Sequence, residues 1–261
     1  MRVDVRKWGV ALGLATLVAC GGGTESKPAS DARVPVESTT VTAAPATAGT
    51  TAGATAGPTA GSGSGPRVLI VGTSLTAGLG LDPDSAYPAV LQRLADSSGY
   101  SVRVVAAGLS GETSAGALRR IDWLLRDRAD VVVIEAGAND GLRGLRVDTT
   151  SANLVAIVKR VRAANPAARV LLAQMEAPPN LGAAYTRSFH DAFLEVAREE
   201  GVVLIPFFLQ GVAGDRSLNQ EDGIHPNAEG ARRAARNMWK ALGPVLREVP
   251  GAFSRGGAGP G

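Results

Sequence analysis

Val68-Leu69-Ile70-Val71-Gly72-Thr73-Ser74-Leu75-Thr76-Ala77-Gly78 decides the fold of this 261-residue chain. It opens with apolar, largely β-branched residues, the pattern of a strand buried on both faces of a parallel sheet. The run breaks at Gly72, which predicts a turn whose backbone other residues resist, and a serine follows the turn. Ser74 then stands at the carboxyl end of the first strand, the edge at which open α/β sheets build their sites. A serine that only caps the next segment gives the same local pattern, so the rest of the chain has to decide its role.

Downstream, strand and helix patterns alternate. Short Val-, Leu- or Ile-rich runs at 67–71, 102–106, 131–135, 169–174 and 202–206 read as strands. Helical segments fall near 86–97, 114–128, 149–164, 183–200 and 228–246. Asp148, Thr149 and Thr150 are candidate caps of the third helix, and Gly201 is a stop for the fourth. The alternation predicts βαβ units and an α/β fold, a three-layer α/β/α sandwich on a mainly parallel five-stranded sheet.

The flanks read differently. Arg2, Arg6 and Lys7 precede an apolar run from Trp8 to Val18, and Leu17-Val18-Ala19-Cys20 closes it. A bilayer span needs ~20 apolar residues, so this run is a secretory signal rather than a transmembrane helix. Cys20, the only cysteine, stands where the bacterial lipoprotein motif requires one. That resemblance implies lipid attachment at Cys20, a membrane anchor, and an exported domain without disulfides, facing the periplasm or the cell surface. An ordinary signal peptide with a chance cysteine is the alternative. The chain thus divides into a lipoprotein-type signal peptide at 1–20, a Gly/Ala/Thr/Pro linker at 21–66, one domain at 67–248 and a Gly-rich tail at 249–261. The linker holds too few large apolar side chains to offset its chain entropy.

With 27 Lys and Arg against 24 Asp and Glu, the chain has a formal charge of +3. Within the domain the two signs nearly balance, which argues against nucleic acid as a partner. Arg232, Arg233 and Arg236 cluster, but lie opposite Ala231, Ala235, Met238 and Leu242 on a helical wheel, so they read as a solvated face.

Parallel strands share one carboxyl edge, and the segments after them should converge there. Ala107-Gly108-Leu109-Ser110-Gly111-Glu112-Thr113 exposes backbone N–H groups at a helix entry. Glu135-Ala136-Gly137-Ala138-Asn139-Asp140-Gly141 sets an amide among small residues. Glu221-Asp222-Gly223-Ile224-His225-Pro226-Asn227 precedes the last helix. A serine hydroxyl needs a base before it becomes a good nucleophile, and imidazole is the usual one. Of two histidines, His190 sits mid-helix beside the apolar face and reads as an exposed or partly packed helix residue. His225 lies in a loop three residues after Asp222, close enough for the carboxylate to orient its Nδ1–H. A loop histidine beside a helix-capping acid would look the same. The N–H groups of Ser74 and Gly111 and the Asn139 amide are candidate donors to an oxyanion.

Gly72-Thr73-Ser74-Leu75, Gly111, Gly137-Ala138-Asn139-Asp140 and Asp222-Gly223-Ile224-His225-Pro226 resemble, in order and spacing, the four blocks of the SGNH, or GDSL-type, hydrolases. The resemblance is strongest to the bacterial periplasmic thioesterase, lysophospholipase and arylesterase group, and extends from 67 to about 245. It implies a serine hydrolase with Ser74 as nucleophile, His225 as base, Asp222 as orienting acid and Ser74 N–H, Gly111 and Asn139 as oxyanion hole. It implies no metal and no organic cofactor. Two positions depart from the family pattern. Thr73 stands where the family has Asp, which implies a changed loop order or local field and a reduced or shifted activity. Ala138 replaces a glycine, tolerable if its methyl points away.

In that group the loop here running from Gln174 to Gly182 borders the acyl pocket, which makes Glu176 and Pro178 candidate substrate-binding residues. Glu176 would disfavour anionic substrates if it faces the cleft; it reads equally as a solvated loop residue. The expected substrates are short-to-medium acyl esters, with thioesters and lysophospholipids beside them. The rivals are a carbohydrate acetylesterase of the cell envelope and a catalytically silent binding lipoprotein.

Overall fold

The computed structural model describes residues 59–60 and 65–253. The signal segment with Cys20, the linker up to Pro58, residues 61–64 and the tail beyond Phe253 lie outside the described residues. The strands are β1 (Thr59–Ala60), β2 (Arg67–Gly72), β3 (Arg103–Gly108), β4 (Val131–Ile134), β5 (Arg169–Ala173) and β6 (Val203–Ile205), side by side in the order β1-β3-β2-β4-β5-β6. The five strands from β2 to β6 run parallel, at the places the sequence predicts. Between them lie α1 (Ser74–Ala77), α2 (Tyr87–Ser97), α3 (Ser114–Leu124), α4 (Ala138–Leu142), α5 (Val147–Ala164) and α6 (Ala183–Glu199), and α7 (Ala228–Arg247) follows β6.

Handedness sorts these helices. The chain leaves β2 for β3 on one side, then crosses to β4, β5 and β6 on the other. With right-handed crossovers, that reversal puts α2 on one face and α3, α5 and α6 on the other. The packing agrees: α3 lies against α5 and α5 against α6, while α7 returns to pack against α2. The strand order reverses at β2, which makes the crevice beyond its carboxyl end the switch point where such sheets hold ligands. β2 and β4, the central strands, are buried along their whole length. On α7, Ala231, Ala235, Met238 and Leu242 are buried while Arg232 and Arg236 pair with Glu229 in solvent, as the helical wheel predicts.

Several expectations are corrected. Thr59–Ala60, within the expected linker, adds an antiparallel edge strand to β3, with Thr59 opposite Ala106 and Ala60 opposite Val105. Its pairing is made by backbone groups, so it left no apolar signature. Val249 and Ala252, assigned to the tail, are buried. There Ser101 N–H donates to the Ala252 carbonyl at 2.7 Å, and the Phe253 ring lies 4.8 Å from that of Tyr100. α3 stops at Leu124 rather than 128, and Arg67 Nη1 takes the Asp127 carbonyl at 2.8 Å. α5 begins at Val147 without a side-chain cap: Asp148 pairs with Arg146 at 3.0 Å, and the buried Thr150 donates to Asp140. Gly201, at φ +55°, does follow the end of α6.

Gly72 also has a different reason from the predicted one. It keeps a strand backbone, paired with Gly108 of β3, and glycine is required by close approach rather than by φ. A Cβ there would strike Thr76 Oγ1 and sit 2.5 Å from Glu135 Oε2. A Cβ at Gly108 would strike the backbone nitrogen of Ala77. The two glycines let α1, with Ser74 as its first residue, sit directly on the ends of two strands. Gly108→Ala is therefore expected to cost about 1–3 kcal/mol of stability in urea denaturation; a midpoint equal to that of the parent would contradict this packing.

Candidate active site

β2 ends in Gly72, and Thr73 serves as N-cap of α1, which places Ser74 at the start of a helical turn. From the opposite side comes the loop before α7. Asn227 caps that helix through Glu229 N–H and Gly230 N–H at 3.0 and 3.1 Å. Just upstream, Gln220 N–H donates to the His225 carbonyl at 2.7 Å, and Gln220 Nε2 donates to Leu79 and Pro226 carbonyls, tying this loop to the one after α1.

Within this frame His225 Nε2 lies 2.9 Å from Ser74 Oγ, and His225 Nδ1 lies 2.6 Å from Asp222 Oδ2. The other Asp222 oxygen accepts Ile224 N–H and His225 N–H at 2.9 and 3.0 Å. These hydrogen bonds, that to the imidazole foremost, hold the Asp222 carboxyl at about 2, below the usual range. An ionised Asp222 can only accept, which calls for the Nδ1–H tautomer of His225 and turns the Nε2 lone pair towards Ser74 Oγ. The spacing of Asp222 and His225 predicted this arrangement, and the geometry has it.

The predicted oxyanion donors face the same space. Ser74, Gly111 and Asn139 all line one cavity of about 610 Å³. Ser74 N–H and Gly111 N–H donate to no partner among the described residues. Asn139 Nδ2 donates to the Glu112 carbonyl at 3.0 Å, which orients the amide and leaves its second N–H for another acceptor. Gly111 sits at φ +75°, where a side chain would be strained. Its loop is fixed by an ion pair the sequence did not disclose. Arg120 Nε donates to both oxygens of the buried Glu112, at 2.7 and 2.9 Å, and its Nη2 reaches the carbonyls of Gly72 and Ala107. Asp140 is buried as well and accepts from Ser114 N–H, Ser114 Oγ and Thr150 Oγ1, joining α4 to α3 and α5. Ala138 is the first residue of α4 and is among the residues that line the cavity.

Sequence reasoning missed the carboxylate beneath the serine. Glu135, fully buried, accepts Thr73 N–H at 2.8 Å, Thr73 Oγ1–H at 2.9 Å and Thr76 Oγ1–H at 2.8 Å. Tyr87 donates its hydroxyl to Thr76 Oγ1 at 2.5 Å, and burial keeps that phenol neutral by pushing its pKa well up. An acid directly after the wholly apolar 131–134 run was the available signal. Thr73, which stands where the resemblance implies an aspartate, ties its loop to Glu135 through both its N–H and its hydroxyl.

Glu176 and Pro178 line the cavity too, together with Leu79, Leu142, Met175 and Phe207, so Glu176 is not a purely solvated loop residue. His190 is half-exposed, as expected of its place on α6, but it also lies 2.7 Å from Glu176 Oε1. Among the described residues no group of three or more His, Cys, Asp or Glu side chains is arranged to hold a metal ion.

The model of the GDSL-like lipase/acylhydrolase family matches residues 70–233. The chain belongs to that family. It is 42% identical over 180 residues to esterase TesA of Pseudomonas aeruginosa, covering 69% of this chain and 89% of the relative. To the thioesterase 1/protease 1/lysophospholipase L1 of Escherichia coli K12 it is 38% identical over 180 residues, covering 69% and 84%. The psychrotrophic esterase EstA from a Pseudoalteromonas species, solved in a form inhibited by monoethylphosphonate, superposes with a TM-score of 0.65 at 36% identity, covering 69% and 98%. As a family member the chain is a serine ester hydrolase with the α/β sandwich that its sequence predicts.

Burial lifts the Glu135 carboxyl to about 7, against the hydrogen bonds from Thr73 and Thr76 that favour its charged form. A folded-state pKa above the unfolded one means that the folded protein binds the extra proton. That stability is complete below about 4.5, declines as pH rises towards 7 and is gone above it, roughly 3 kcal/mol in all. Asp222 contributes in the opposite sense, below about 4, outside this window. Urea denaturation at pH 5 and pH 8 should show the decline in the parent, its loss in Glu135→Gln and its steepening in Thr73→Asp; an equal decline in Glu135→Gln would contradict the assignment.

Proposed function

We propose that Ser74 attacks the carbonyl of a carboxylic ester or thioester, with His225 as base, Asp222 as its orienting acid, and Ser74 N–H, Gly111 N–H and the Asn139 amide as oxyanion donors. The observation that carries this assignment is the continuous chain from Ser74 Oγ through His225 to Asp222, ending on a cavity that holds all the proposed donors. In the first step Ser74 Oγ bonds to the carbonyl carbon while its proton passes to Nε2. The oxyanion of the tetrahedral intermediate lies on the three donors, and the imidazolium is stabilised by Asp222. Collapse expels the alcohol or thiol, which takes the proton from Nε2. Water then repeats the sequence on the acyl-serine and frees the acid.

The cavity walls of Leu79, Leu142, Met175, Phe207, Leu209 and Ile224 favour an apolar acyl chain of short to medium length. The names of the relatives, an esterase and a thioesterase/lysophospholipase, support the same substrate classes. An envelope carbohydrate acetylesterase would gain nothing from so large an apolar space. We further propose that Cys20 is acylated and tethers the domain to a membrane, on the support of Leu17-Val18-Ala19-Cys20. Incorporation of an alkyne fatty acid into the chain, lost in Cys20→Ala, would bear this out; incorporation unaffected by the substitution would refute it.

For catalysis, p-nitrophenyl esters from acetyl to palmitoyl are the test. Ser74→Ala and Asp222→Asn are expected to lose roughly 10⁴-fold or more in rate, and Asn139→Ala about 10²–10³-fold. Full activity in Ser74→Ala would refute the assignment, and activity confined to acetyl esters would favour the carbohydrate enzyme.

A further inference from the structure

One charge faces the cavity that the proposed chemistry does not use. Among the described residues that line it, Glu176 is the only carboxylate, there is no Lys or Arg, and His225 is the only other ionisable group. The Glu176 side chain is held rather than free. Its Oε1 lies 2.7 Å from His190 Nδ1, which can donate to it. Pro178 and Pro179, on the same loop, limit its backbone freedom. Glu176 Oε2 meets no hydrogen-bond donor among the described residues, which leaves one carboxylate oxygen for whatever occupies the cavity.

Its place relative to the reacting atoms follows from the fold. His225 must hand its proton to the leaving oxygen, so the alcohol or thiol side of the substrate lies towards the loop before α7. α7 packs on α2, on one face of the sheet. Glu176 follows β5 and is held by His190 of α6, on the other face. The acyl portion, not the leaving group, therefore runs past this carboxylate.

We propose that Glu176, positioned by His190, determines acyl specificity by selecting acyl groups that carry a cationic ammonium and rejecting anionic ones. This inference rests on the acyl-serine chemistry proposed above. A carboxylate oxygen without a protein partner, set in apolar walls, gains an interaction from an ammonium centre and repels a second carboxylate. Because the pair is part-exposed, the effect is that of a screened ion pair, about two- to fivefold in kcat/KM.

The test uses the chain with two matched pairs of esters. The first carries the charge on the acyl side: phenyl 4-(trimethylammonio)butyrate against its uncharged isostere phenyl 5,5-dimethylhexanoate. The second carries it on the alcohol side: butyrylcholine against 3,3-dimethylbutyl butyrate. The expected result is that Glu176→Gln lowers the charged-to-neutral ratio of kcat/KM for the first pair about two- to fivefold, that Glu176→Lys lowers it further, and that the ratio for the second pair changes less. An active parent whose first ratio is the same in both variants overturns this inference alone, as does a change confined to the alcohol-side pair. A parent that hydrolyses none of the four esters overturns the proposed chemistry as well.

Discussion

The serine can stand on the sheet edge because a buried carboxylate holds the turn beneath it. Glu135 leaves β4 with no access to water and is accepted in the core only because Thr73 and Thr76 bring it three donors. Those donors belong to the cap and the first turn of α1. The same hydrogen bonds that make the acid tolerable thus fix the peptide carrying Ser74 against a neighbouring strand. Bare Gly72 and Gly108 allow the approach, since a methyl at either would occupy the space that Thr76 or Ala77 fills.

The principle repeats at each other corner of the site. Gly111 takes its left-handed backbone in a loop braced by Arg120 and Glu112, a pair that also ties down the carbonyl ends of β2 and β3. Asn139 belongs to a short helix whose Asp140 reaches α3 and α5. Asp222 spends one oxygen on its own loop and the other on His225. Charged groups that take no part in bond making supply the rigidity that the reacting groups need, which agrees with the expectation that preorganised dipoles cost no rearrangement at the moment of reaction. The cavity itself is mostly apolar, so Glu176 acts there with little competition from other protein charges.

Much of this was legible in the amino-acid order, and the parts that were not share a cause. The strands at 67–72, 131–134 and 169–173 declare themselves because buried parallel strands must be continuously apolar. Asp222 and His225 could be paired because a tight turn brings residues three apart within reach. By contrast, Glu135 to Thr73 and Arg120 to the Gly72 carbonyl join residues far apart in sequence, and local spacing carries no trace of them. α1 and α4 were missed because a single helical turn has no periodicity to detect. The edge strand at Thr59–Ala60 is held by backbone groups that any sequence offers. Gly72 was recognised as special for the wrong reason, since a strand glycine needed for close approach looks the same as one needed for a turn.

The central claim is that Ser74 is made nucleophilic by His225 and Asp222. Incubation with an ethyl fluorophosphonate, followed by intact mass and peptide mapping, tests it most directly. A single adduct per chain on the peptide that contains Ser74, suppressed by His225→Ala, is the predicted result. An adduct on another residue, or none in a protein that still hydrolyses esters, would contradict it.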